Sequence, residues 1–166
     1  MALNKMQKTL KRFSHSRGYE VLFNKKVEYK NNVADIDAVL ITPFGVNLFS
    51  FSQLKKGELY GTKDDSQWVI VTKKERIKID NLFKRNEQNV AVLREIFAKE
   101  GVYKVGTFCA TVIDCKDQTK QINLPVKVLN VFSLKEFKKY LKVTNFEKEN
   151  GCDVKRIAES IEKYKI

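Results

Sequence analysis

Apolar positions along the chain recur in two rhythms. Leu3, Met6, Leu10 and Phe13 fall at three- and four-residue steps, the spacing of one helix face, and predict an amphipathic helix over residues 3–14. Its remaining positions, Lys5, Lys8, Lys11 and Arg12, are basic, and Gly18 ends it. Tyr19–Phe23 and Val27–Tyr29 read as short strand pieces around Asn24-Lys25-Lys26, and Asn31-Asn32 as a turn. Two β-rich runs then flank Thr42-Pro43-Phe44-Gly45, with Pro at the second place and Gly at the fourth of these four residues. That is the composition of a type I turn, so the runs form a hairpin.

Further along, Gly57, Gly61 and the polar run Thr62–Ser66 predict a loop, and Trp68–Val71 a short strand, after which Lys73–Ile79 alternates charged and aliphatic residues. Leu82, Asn86, Val90, Leu93 and Phe97 keep helical spacing and predict a long helix from about residue 81 to 99, stopped by Gly101. Val105–Ile113 and Val126–Phe132 read as strands. Ser133 and Glu136 form a capping-box pattern that opens a helix over residues 134–142, and Asp153 can cap a last helix carrying Val154, Ile157, Ile161 and Tyr164. The order is helix, three strands, helix, two strands and C-terminal helices, which predicts a mixed sheet with helices on both faces. The whole of 1–166 is expected as one domain, with its core at about 18–142 and a helical appendage at about 147–166.

A two-residue hairpin loop closed by Thr42 and Gly45 sets Ile41 opposite Val46, Val39 opposite Leu48, Asp37 opposite Ser50 and Asp35 opposite Ser52. Side chains alternate along a strand, so these eight share one face. Ile36, Ala38, Leu40, Phe49 and Phe51 fill the other face, which marks both strands as central. Two aspartates on one face of a covered strand require a metal, a basic partner or backbone donors. The plain alternative is that this end of the sheet is its wet rim, with Asp37 paired to a surface lysine.

Composition narrows the class. The 166 residues are 43% hydrophobic with two prolines and seven glycines, enough to bury a core. No apolar run approaches the ~20 residues of a membrane helix, and the N-terminus lacks an apolar signal stretch, so a cytoplasmic protein that meets no membrane is expected. Three cysteines, Cys109, Cys115 and Cys152, read as reduced thiols, and the single histidine, His15, excludes chemistry that needs two imidazoles. Thirty-two Lys and Arg against twenty Asp and Glu give a net charge of +12, a field that draws in polyanions, nucleic acid foremost. A lysine-rich surface can equally be a habit of AT-rich coding sequence.

The stretches "DIDAVLITPFGV", "GELYG" with the following Trp68, "IDNLFKRNEQNVAVLREIF" and "VFSLKEF" resemble the nuclease-related domain (NERD) family, from about Gly18 to Tyr140. The resemblance implies an α/β, single-domain PD-(D/E)XK nuclease-like (restriction-endonuclease-like) core, an αβββαβ mixed central sheet flanked by helices. It implies metal-dependent phosphodiester cleavage, with an Asp and a Glu on neighbouring strands holding Mg²⁺ and a Lys two residues after the Glu serving the attacking water. Carried over, the metal-binding aspartate is Asp37, but the Glu position falls on Ser50 and the Lys position on Ser52. The Pro and Gln of the family's NPxxQ pattern are Leu82 and Arg85, and Asn4 and Gln7 stand where an acidic residue is expected in the first helix. A Q-x-K variant would use Gln53 and Lys55, provided a β-bulge near Phe51–Gln53 turns them to the face of Asp37.

Residues 73–85 hold six basic side chains, Lys73, Lys74, Arg76, Lys78, Lys84 and Arg85, against Glu75 and Asp80. With the start of the long helix, and with Trp68 or Tyr60 for base stacking, they form a candidate nucleic-acid surface; the plain reading is a solvated hairpin. Three functions stay open. One is a nuclease-related protein that binds nucleic acid, DNA before RNA, with cleavage lost or weak. Another is an Mg²⁺-dependent endonuclease using Asp37, Gln53 and Lys55. The third is a protein-interaction module on the same fold, and a homodimer is left open for each.

Overall fold

A computed structural model of the chain describes residues 2–148 and 150–166. Helix α1 (Lys5–His15) starts on a capping box, in which Asn4 Oδ1 accepts from the Gln7 amide at 2.8 Å and Gln7 Oε1 from the Asn4 amide at 3.0 Å. The chain then forms three antiparallel strands, β1 (Glu20–Tyr29), β2 (Asn32–Thr42) and β3 (Gly45–Leu54). The two expected strand pieces before Asn31 are one strand. Asn24 adopts φ +53°, a conformation that asparagine tolerates, and the pairs Phe23–Ala38 and Lys25–Ile36 on either side keep a single register. The β2–β3 hairpin closes at Thr42–Gly45 and pairs Ile41 with Val46 and Val39 with Leu48, the register its turn predicts.

Strand β7 (Thr107–Cys115) lies parallel to β3, and β9 (Val131–Phe132) parallel to β7, giving a five-stranded mixed sheet ordered β1-β2-β3-β7-β9. Helix α2 (Leu82–Lys99) and helix α5 (Val154–Lys163) cover one face, where Leu93, Ile96, Ile157 and Ile161 pack on Val39, Ile41, Val46 and Leu48. On the other face α1 and α4 (Leu134–Val143) pack Met6, Leu10, Phe137 and Leu141 on Ala38, Leu40, Phe49 and Val112. A mixed sheet of five strands between helices is the architecture expected of a nuclease-like α/β fold.

Helix α5 is no loose appendage. Ile157 and Ile161 are fully buried, each worth about 1.5–3 kcal/mol of apolar burial. The Glu28 amide donates to the Tyr164 carbonyl at 3.1 Å and the Ile166 amide to the Lys26 carbonyl at 2.9 Å, so the C-terminus lies along β1.

A second sheet is built from three strands in the connection between β3 and β7 and one strand that follows β7. Its strands β4 (Glu58–Tyr60), β5 (Gln67–Val71), β6 (Arg76–Asp80) and β8 (Ile122–Asn123) are ordered β6-β5-β4-β8, and β8 follows the short helix α3 (Gln118–Gln121). Trp68, Leu59, Leu54, Ile113 and Val131 pack where this sheet meets the first. The glycines of the GELYG stretch mark the ends of β4. A Cβ on Gly61 would sit 2.3 Å from Trp68 Cδ1, and one on Gly57, at φ +85°, 2.5 Å from the Val71 carbonyl oxygen. The expected strand over Val126–Phe132 is mostly turn, because the Leu129 amide returns to the Pro125 carbonyl and the Val131 amide to that of Val126. Among the described residues no helix is long and apolar enough to cross a membrane.

Candidate functional site

Asp37 sits at an interruption in two ladders. Regular β2–β3 pairing ends at Ala38–Phe49, one step before Asp37 and Ser50 would face each other, and no Asn24–Asp37 pair joins β1 to β2. Side chains fill both gaps. Asp37 Oδ2 accepts the Phe51 amide at 2.9 Å. Gln7, 2% exposed, donates from Nε2 to the Asp37 carbonyl at 2.8 Å and to Asn24 Oδ1 at 2.9 Å.

The second carboxylate oxygen is taken by a cation of the protein itself. Arg85 Nη2 lies 2.7 Å from Asp37 Oδ1, with the side chains 26% and 23% exposed. Arg85 also donates through Nε and Nη2 to the Asp35 carbonyl at 3.3 and 3.2 Å. One turn along α2, Asn89 donates to that carbonyl at 2.9 Å and accepts the Asp35 amide at 3.2 Å. The first turns of α2 are thus clamped onto the start of β2, and a guanidinium with donors in a fixed fork suits this better than an ammonium.

Ser50 is 2% exposed. Its hydroxyl and that of Thr111, its neighbour on β7, are 3.0 Å apart, and Asn86 Nδ2 donates to Thr111 Oγ1 at 3.3 Å. The hydroxyl is therefore engaged in a buried polar chain rather than directed at Asp37. Ser52, half-buried, lies opposite Ile113. The β3–β7 pairing runs without a break from Val46–Thr107 to Leu54–Cys115. Without a bulge, alternation keeps Gln53 on the side of Phe49 and Phe51, away from Asp37. Gln53 and Lys55 are exposed, and Lys55 lies beyond the end of the strand. The structure brings together Asp37, Arg85 and the Ser50 end of β3; it does not bring Gln53 or Lys55 to them.

These residues do not fit Mg²⁺. A hard divalent ion takes six oxygen ligands and is usually held by more than one carboxylate or by a substrate phosphate beside it. Here one carboxylate is present with both its oxygens hydrogen-bonded, beside a guanidinium and a buried hydroxyl. Among the described residues no three His, Cys, Asp or Glu side chains come close enough to hold a metal ion.

The six basic residues of 73–85 divide into two sets. Lys73 and Lys74 lie in the β5–β6 turn and Arg76 and Lys78 on β6, all exposed on the edge of the second sheet. Lys84 Nζ instead donates to the Asp64 carbonyl at 2.8 Å, and Arg85 is held by Asp37. The start of α2 is occupied as well. Asn81 caps it, accepting the Lys84 amide at 3.1 Å, and its Nδ2 ties down the Thr62, Lys63 and Asp65 carbonyls. Trp68 has no exposed surface and donates Nε1–H to the Thr62 carbonyl, so it is a core residue and not a stacking platform; Tyr60 is 41% exposed.

Sequence reasoning missed Thr111, Asn86 and Asn89 as parts of this centre, and noted Gln7 only as a departure from an expected acidic position. Asn86 was visible in one respect: an amide in the otherwise apolar stripe of α2 needs a buried partner.

Neither the curated proteins nor the solved structures provide a match to this chain. The family model described as nuclease-related domain matches residues 2–133, from the start of α1 to the cap of α4, and so takes in the five-stranded sheet, α2 and the second sheet. The chain belongs to the nuclease-related domain family.

Proposed function

We propose that this nuclease-related protein binds nucleic acid, DNA in the first instance, and does not cleave it through a metal ion. One observation carries the loss of cleavage: both oxygens of Asp37 are committed to the protein's own donors, Arg85 and the Phe51 amide. An arginine beside a lone carboxylate supplies positive charge without Lewis acidity. A guanidinium has no open coordination position for water and cannot lower its pKa as a divalent ion does. Ser50 and Ser52 provide neither a second acid nor an ammonium.

The binding half rests on the net charge of +12 and on Lys73, Lys74, Arg76 and Lys78 along one exposed edge. Among the described residues no helix or strand beside them is built to read bases, so contacts are to phosphates and insensitive to sequence. The test is a nuclease assay with Mg²⁺ and with Mn²⁺ at high protein concentration, beside a gel shift in a salt series. Inertness in the first with salt-sensitive retardation in the second is the expected result. Cleavage abolished by Asp37→Ala overturns the loss of activity, and absence of binding at low salt leaves a protein-interaction module as the reading.

A further inference from the structure

Beyond the end of β3 the second sheet encloses a cleft of about 1120 Å³, walled by three segments. These are the β3–β4 connection with Lys55 and Lys56, the β5–β6 turn with Lys73 and Lys74, and the start of α3 with Lys116 and Lys120. Six lysines thus face one space, against Glu58, Glu75 and Asp117. Among the described residues Lys120 alone of the six has an ion-pair partner, Asp117 at 4.0 Å. The sequence separates these lysines by up to 65 positions, and only the fold gathers them. Roughly 13 Å of strand, four residues at about 3.3 Å each, separates Ser50 from Leu54 at the mouth of the cleft, so this is not the Asp37 centre.

The walls are fixed rather than loose. Thr72 Oγ1 accepts the Lys74 and Glu75 amides at 3.3 and 3.0 Å, which locks the β5–β6 turn. Gln121 donates to the Gly57 carbonyl at 3.2 Å and accepts the Asp117 amide at 2.9 Å, which ties α3 to the β3–β4 connection. Gly57 itself is required, because any Cβ there would strike the Val71 carbonyl. Val71 and the lysine stems add apolar surface between the charges.

We infer that this cleft binds the phosphate groups of a nucleotide, either a free polyphosphate nucleotide or the end of a nucleic-acid strand. Gathered ammonium groups without partners repel one another, and a ligand carrying several negative charges relieves that repulsion. Lysine is a mobile point-charge donor well suited to phosphate oxygens. The volume lies just above the ~300–1,000 Å³ usual for small-molecule sites, so a base and sugar fit beside the phosphates. The strand-end source rests on the nucleic-acid reading above; the free-nucleotide source does not.

The test uses the full chain, a fluorescently labelled single-stranded oligonucleotide, inorganic tripolyphosphate and ATP without added metal. Two variants are compared with it: the cleft variant Lys55→Ala/Lys56→Ala/Lys116→Ala and the edge variant Arg76→Ala/Lys78→Ala, each checked for an unchanged melting temperature. The cleft variant is expected to lose tenfold or more in affinity for whichever probe binds, because three ammonium groups are removed at once. The corresponding Lys→Arg triple variant is expected to retain the affinity. Saturable ATP and tripolyphosphate binding that displaces the oligonucleotide identifies a free nucleotide as the ligand; oligonucleotide binding alone identifies a strand end. Oligonucleotide binding that the edge variant weakens and the cleft variant does not overturns the cleft and spares the nucleic-acid reading. If no probe binds the wild type, both fall.

Discussion

The two charged regions of this molecule treat their cations in opposite ways. At the Asp37 end of the central sheet the polar groups of the centre answer one another: Arg85 and the Phe51 amide satisfy the carboxylate, and Ser50, Thr111 and Asn86 are linked in one chain. On the second sheet lysines from three segments face a common space, five of them without an ion-pair partner among the described residues. A centre whose charges are internally matched gains little from a ligand, whereas one whose charges are left unmatched gains much. The central sheet thus has its Asp37 end closed by side chains, while the unmatched lysines gather on the second sheet, from the β3–β7 connection and from the segment that follows β7.

The largest expected effect tests the open region. If about four phosphates are neutralised, nucleic-acid affinity falls about 10²-fold between 50 and 200 mM salt. A gel-shift or anisotropy series measures the slope. A flat response would mean that the unmatched lysines meet no polyanion.

The closed region is tested next. Arg85→Ala removes the charged donor to the Asp37 carboxylate, which keeps only the Phe51 amide, and one of two donors to the Asp35 carbonyl, which keeps Asn89; it is expected to cost about 2 kcal/mol in urea unfolding, less than a fully buried pair because both side chains are partly exposed. Nucleic-acid affinity is expected to stay within a factor of about two, since this guanidinium faces inward. A variant of normal stability but reduced binding would move Arg85 to the open side of the comparison. Thr111→Val is smaller, about 1–2 kcal/mol, because it orphans the Ser50 hydroxyl and the Asn86 amide while preserving volume.

How much of this was legible depends on how local the signal is. The β2–β3 register followed from the turn, because a two-residue loop closed by Thr42 and Gly45 fixes the pairs that follow, and a slip of one residue would have put Asp37 and Ser50 among Ala38 and Phe49. Helix α2 followed from its long apolar stripe. Strands β4 and β8 did not, being three and two residues long, too short for periodicity, and β4 is framed by Gly57 and Gly61, which imitate a loop. Arg85 and Asp37 lie 48 residues apart, and nothing local distinguishes Arg85 from Lys84 beside it. Only the rotation of α2 turns one inward and the other outward. The departure of Arg85 from the family's glutamine was visible, but its consequence required the contact.

The edge strand offers a finer division of the open region. Arg76→Ala/Lys78→Ala is expected to weaken oligonucleotide binding about threefold to tenfold and to lower the salt slope by about one to two. Stability is expected to change by less than about 0.5 kcal/mol, since both side chains are exposed and β6 pairs on one side only. Loss of binding with an unchanged slope would show that these residues act on shape rather than on phosphates.

The smallest effect comes from the acids inside the cleft, which oppose its lysines. Asp117→Asn keeps an oxygen to accept from the Thr119 hydroxyl, now at 2.8 Å, and removes one negative charge that faces Lys120. Phosphate affinity is expected to rise about twofold at neutral pH, a modest gain because exposed charges are screened. The Thr119 hydroxyl holds the Asp117 carboxyl below its ordinary range, with the Lys120 amide and ammonium acting in the same sense. Asp117 therefore stays ionised while the pH falls through the usual carboxylate range, and wild type and variant converge only below it. Convergence at a higher pH would mean that Asp117 is not the acid the ligand feels.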